Sequence, residues 1–299
     1  MFMKIPKNVL KIYIVQLLLV SLSLSVYAQK LPGIQETSVL APKNIKIDAK
    51  LTEWDDTFQA YNKTTEIFYT ISNDDKNLYL VIKSTDPINN NKIIAGGINF
   101  TINTTGRKKD KEGYVITFPL VDIAAMRNQI LSMASTGGAG NNREPDSAAI
   151  ANMRKKALSM VKEIKLAGFA ATDVPDSVVS IYNEYGLKAA IDYDAKGNLT
   201  CEMAVPLKYL HLITAGTKEF NYNIKLNGLN IDAIFPGAGA FMSGGFGGGG
   251  GAGGGFGGGG RAGGGIPGGA ANGIPSSMQQ MQSMISPTDF WGKYTLAKK

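Results

Sequence analysis

Side chains that can attack, shuttle protons or bind metals are scarce in this chain. It holds one histidine, His211, and one cysteine, Cys201. A nucleophile triad would need His211 beside an activated serine, and no G-x-S-x-G turn marks one. One imidazole and one thiol also fall short of a zinc site. Paired carboxylates for glycoside cleavage are defined by separation in space, and nothing in the sequence nominates a pair. The chain is therefore expected not to be an enzyme. Asp192 to Asn198 resembles part of a calcium loop but lacks the later bidentate glutamate, so a hairpin turn explains it better. No other cofactor is expected.

The elements around these residues read mostly as strands. Ile67, Tyr69 and Ile71 alternate with more polar neighbours, then Asn73 to Asn77 reads as a turn, then Leu78, Leu80 and Ile82 alternate again. This pattern predicts a hairpin. Ile98 to Asn103 and Tyr114 to Leu120 predict a second one, and Leu187 to Tyr193 and Leu199 to Val205 a third. Phe220 to Leu226 and Phe290 to Leu296 add two more strands. Leu199, Cys201, Met203 and Val205 share one strand face and read as core, where a thiol behaves as a small hydrophobe. Period-two patterning throughout predicts antiparallel sheets packed on each other.

Two insertions interrupt the strands. Residues 144–168 read as a helix, with Ile150, Met153, Ala157, Met160, Val161 and Ile164 at helical spacing and Gly168 past the end. Residues 237–273 hold 22 of the 36 glycines and read as a flexible loop. Phe241, Phe246 and Phe256 within it are candidate contacts for a partner.

The N-terminus predicts export. Lys4, Lys7 and Lys11 precede an apolar run from Ile12 to Val26, and Val26 and Ala28 flank Tyr27 before Gln29. That is the pattern of a signal peptide over 1–28, cleaved between Ala28 and Gln29. The run is about 15 residues, roughly 22 Å as helix, against a hydrocarbon core of roughly 30 Å. The mature chain, 29–299, is expected as one domain, soluble in the periplasm or secreted, with no stable membrane span. Without the three lysines of 1–28, 28 basic residues face 24 acidic ones, a net of +4. The densest basic cluster, Arg107, Lys108, Lys109 and Lys111, is interrupted by Asp110 and reads as a hairpin tip. Nucleic acid is not an expected partner. A lone cysteine allows no internal disulfide, so a packed core must supply the stability.

Several segments carry more than periodicity. Ile47-Asp48-Ala49-Lys50-Leu51-Thr52-Glu53-Trp54 resembles the I-D-G-x-x-x-E-W opening of carbohydrate-binding module family 9 and its DOMON-related kin, with Ala49 where that family prefers glycine. Asn73 to Ile82, closing on Asp86-Pro87, is similar to that family's turn, L-Y strand and D-P exit. Gly197 to Leu207 resembles its G-x-x-x-E-x-A-I-P strand, Phe220 to Ile224 its F-N-x-x-I strand, and Phe290 to Leu296 its closing strand. The segments occur in family order from residue 45 to 297. The resemblance implies an antiparallel β-sandwich, of jelly-roll or immunoglobulin-like type, and a sugar-binding module. It also implies a structural calcium, with Asp74, Asp75 and Asp86 as candidate ligands, and a tryptophan clamp after the D-P exit and before the closing strand. Here Ile88 to Ala95 and Met281 to Ser286 contain no aromatic residue.

The expected function is thus an exported non-catalytic binding module whose partner is a glycan. The alternative is a cell-envelope scaffold whose partner is an envelope protein. Relatives that bind b-type haem imply a third reading, with Met203 and His211 as the nearest candidate ligands, although His211 reads better as a surface or capping residue. Tyr61, Tyr69, Tyr114 and Trp291 are the candidate ligand-binding residues, because stacking on a sugar needs a flat aromatic face. Trp54 reads as core.

Overall fold

The computed structural model describes residues 30–108, 112–122, 124, 127–128, 147–216, 218–236 and 282–299. The expected signal at 1–28 and glycine tract at 237–273 lie outside them, as do Lys109 and Lys111 of the basic cluster. Two antiparallel sheets form the body of the protein. The first contains β1 (Ala60–Asn62), β2 (Ile67–Asn73), β3 (Asn77–Ser84), β8 (Lys188–Tyr193) and β9 (Leu199–Pro206), in the order β1-β2-β3-β9-β8. The second contains β4 (Ile98–Asn103), β5 (Tyr114–Leu120), β6 (Glu163–Ala167), β7 (Val178–Ser180), β10 (Glu219–Leu226) and β11 (Thr288–Thr295), in the order β11-β10-β4-β5-β6-β7. The three expected hairpins are present as β2/β3, β4/β5 and β8/β9.

The inward faces of the two sheets meet in one core. Tyr69, Phe100, Phe118, Phe220 and Tyr222 are among its largest fully buried side chains. Cys201 and Met203 lie in it, and burial pushes the Cys201 thiol far up, away from reactivity. A second, smaller core sits on the other side of the first sheet. There Leu51, Trp54 and Phe58 of the N-terminal segment cover Tyr79, Val81 and Ala204. β3 and β9 are therefore buried on both faces. Their second faces carry Tyr79, Val81 and Ala204 against that smaller core.

The helix expected over 144–168 is shorter. It runs as α2 (Ser147–Ser159), after α1 (Pro87–Gly96). Residues 163–167 are strand β6 instead. Glu163-Ile164-Lys165-Leu166-Ala167 alternates with period two, and Ile164 and Leu166 enter the core while β6 pairs with β5. A strand ladder and two buried side chains outweigh the helical spacing that Val161 and Ile164 happen to share with α2. The helix itself buries no residue fully; Ala157 and Leu158 pack partly on the core, while Ile150 and Met153 stay exposed. α1 begins at the D-P dipeptide. The Asp86 carboxylate accepts from the Asn89 N–H at 2.7 Å, and Pro87 fills the first turn, where its missing N–H costs nothing. No helix among the described residues is long and apolar enough to cross a membrane.

Candidate functional site

The opening segment is tied to the sheet by one buried acid. Glu202 on β9 is 0% exposed and accepts three hydrogen bonds from it. Its Oε2 takes the Asp48 N–H at 3.0 Å and the Ala49 N–H at 2.7 Å, and its Oε1 takes the Trp54 indole N–H at 2.7 Å. Burial pushes the Glu202 carboxyl up, while the three donors pull it back. Thr200 on the same face donates to the Ala49 carbonyl at 2.6 Å. The segment reaches these partners only by sharp turns: Ala49, Leu51, Asp55 and Asp56 all have positive φ. Glycine adopts that conformation without steric cost, whereas the Ala49 Cβ makes it strained. Ala49→Gly is expected to raise stability by about 1 kcal/mol, a few degrees in a thermal melt. An unchanged or lowered midpoint would show that the turn is not strained.

Beside this latch the same segment walls a cleft of about 470 Å³ with β3, β8 and β9. Lys83 crosses it. Its ammonium bonds both Asp56 oxygens at 2.7 Å and lies 3.7 Å from Asp194. Burial opposes the Asp194 carboxylate, yet hydrogen bonds from Asn198 and Lys196 and the Lys83 charge hold it below the ordinary range. Tyr193 forms part of the wall, and the Arg154 guanidinium of α2 stacks 4.6 Å from its ring centroid. Burial raises the Tyr193 hydroxyl, and Arg154 partly offsets this. The Asp192 carboxylate receives only the N–H of Tyr193, at 2.7 Å, so its second oxygen has no partner among the described residues; neither has the Asp55 carboxylate. The cleft thus offers acceptors, one pinned ammonium and the flank of an aromatic ring. That set suits a hydroxyl-rich ligand. The depressed Asp194 is the opposite of what a general acid needs.

The four aromatic residues singled out from the sequence do not form a platform. Tyr69 is 0% exposed in the intersheet core, its hydroxyl 2.9 Å from that of Tyr222. Tyr61 packs on Phe68, with ring centroids 4.6 Å apart, on the edge strand β1. Tyr114 meets Phe169 edge-on at 5.3 Å. Trp291 is half-buried on β11, opposite Asn223, on the side of the second sheet away from the core. Trp54 is buried, as its position in the opening motif suggested. Met203 is a core residue, whereas His211 is exposed and caps the 3-10 turn Leu207–Leu210 in a left-handed conformation.

The calcium candidates are each engaged by their own chain. Asp74 accepts from Lys76 N, Asn77 N and the Tyr79 hydroxyl, all at 2.7 Å. Asp75 pairs with Lys299, and Asp86 caps α1. Asp194 holds the β8/β9 turn through Lys196 N and Asn198 N. Among the described residues, no group of three or more histidine, cysteine or acidic side chains is arranged to hold a metal ion.

Comparison with protein-family models gives no match, and comparison with curated proteins gives none either. The functional reading therefore stands on the site itself.

Proposed function

We propose that this protein is an exported, non-catalytic binding module that holds a hydroxyl-rich ligand, such as the end of a glycan, in the Lys83–Tyr193 cleft. The observation that carries this reading is the convergence of unpaired acceptors, a fixed ammonium and an aromatic flank in one concavity. Small-ligand sites gather a few placed polar groups against a less polar wall in this way. The family-9-like order of the sequence motifs supports the same reading. So does the Glu202 latch, because it joins two of those motifs and builds the cleft wall.

Affinity electrophoresis and calorimetry on a panel of polysaccharides and oligosaccharides test the proposal. At least one glycan is expected to bind the full chain, and Tyr193→Ala or Lys83→Met to weaken it about tenfold, the loss of one good contact. Trp291→Ala is expected to leave it unchanged. A panel with no retained glycan would sink the reading, and so would binding lost with Trp291 alone. Export is read out separately by mass spectrometry of the mature protein, expected to begin at Gln29.

A further inference from the structure

Among the described residues β8 is an edge strand: it pairs with β9 on one side and with no strand on the other. α2 covers one end of that edge, where Arg154 stacks on Tyr193. Along the other end runs a groove of about 670 Å³. Lys188, Ala189, Ala190 and Ile191 form one wall. Four consecutive residues can line a groove only if the wall is the strand's edge, since side chains on either face alternate. The facing wall comes from the end of α2, the chain after it and the loop after β7, with Leu158, Val161 and Ile181 giving it an apolar surface.

Three features of this groove lack partners. A strand edge presents alternate N–H and C=O groups outward. Among the described residues, the backbone of 188–191 bonds to β9 alone. Asn183, which also lines the groove, spends its amide N–H groups on Ser180 O and Leu187 O at 2.7 Å each, and its Oδ1 is buried with no donor. Lys162 and Lys188 stand at the groove without an ion pair among the described residues. Tyr182 beside them is 86% exposed.

We propose that this groove accepts an extended peptide segment of a partner protein, which adds to β8 as a sixth strand of the first sheet. Its backbone groups pair with the β8 edge. Apolar side chains at alternate positions fill the space against Leu158, Val161 and Ile181. Acidic residues flanking them meet Lys162 and Lys188. An acyl chain of the same volume would bury the edge N–H and C=O groups without partners, and such groups are costly. Main-chain pairing of this kind gives affinity, and the alternate pockets give selectivity.

The probe is a fluorescein-labelled heptapeptide of alternating valine and threonine with aspartate at each end, titrated into the full chain by anisotropy. Saturable micromolar binding is expected. N-methylation of alternate backbone nitrogens is expected to abolish it, because it removes the ladder donors without changing the side chains. The Lys162→Glu/Lys188→Glu double variant is expected to bind about tenfold more weakly. Ala190→Trp, checked for an unchanged thermal melt, is expected to block binding. Absence of saturable binding overturns the proposal, as does equal affinity for the N-methylated peptide. Binding of dodecanoate at the groove without binding of the peptide would assign the space to an acyl chain and overturn it too.

Discussion

Glu202→Ala is expected to lower stability by about 4 kcal/mol, on the order of 10 °C in melting temperature. The carboxylate is fully buried and takes three N–H donors, two from the backbone and one from Trp54. Truncation leaves those donors buried without acceptors, and each such group costs about 1–3 kcal/mol. It also opens a cavity under the second core, where Trp54 and Tyr79 meet edge-on at 6.3 Å. Glu202→Gln keeps the shape and is expected to cost less, about 2 kcal/mol, because its amide turns an N–H group toward a donor. Exposed Glu163 is the control: its alanine variant is expected to stay within about 0.5 kcal/mol of the parent. Urea melts of the three variants decide the matter, and a Glu202→Ala cost under about 1 kcal/mol would refute the latch. Because the latched segment walls the cleft, loss of glycan affinity is expected to accompany loss of stability in the glutamine variant.

The second large effect lies in the main core. Gly292 on β11 stands opposite Tyr222 on β10. A Cβ at residue 292 would lie 2.2 Å from the Tyr222 ring carbon Cζ and 2.3 Å from its hydroxyl. The tyrosine has nowhere to go: it is 0% exposed, its hydroxyl meets Tyr69, and Phe290 packs edge-on at 6.4 Å. Tyr69 is held in turn by the Gln35 N–H at 2.8 Å. Gly292→Ala is therefore expected to cost about 3 kcal/mol, at the upper end for overpacking. Trimming the obstacle should recover part of that loss. In a double-mutant cycle, Gly292→Ala combined with Tyr222→Leu is expected to be less destabilised than the two single variants added together, by about 1–2 kcal/mol. Simple additivity would mean that the tyrosine is not what the new methyl meets.

The two sites illustrate what local pattern can and cannot reveal. Alternation in β2, β4 and β10 marked their inward faces, because a half-buried strand must place apolar groups at every second position. The turn at Asp194 was visible too, since its carboxylate works within four residues through Lys196 N and Asn198 N. The β6 strand was missed because 144–168 contains enough apolar positions to satisfy a helical spacing, and only pairing with β5 decides between the two periods. Asp86-Pro87 reads in the sequence as the exit of a strand, and it is also the start signal of α1, with Asp86 capping and Pro87 in the first turn. The aromatic candidates were chosen by residue type, and type alone does not say which side of a sheet a ring faces.

Single-sequence pattern thus determined most of the strands and the three hairpins. Each of these depends on residues close together in the chain. The tertiary structure alone decided that Glu202 meets Trp54, 148 residues away, and that Lys83, Asp56 and Tyr193 share one cleft. It also decided that, among the described residues, β8 lies at the edge of its sheet. Such features arise where distant segments converge, and their physical content lies in who ends up beside whom: a buried acceptor among three donors, or a strand edge with none.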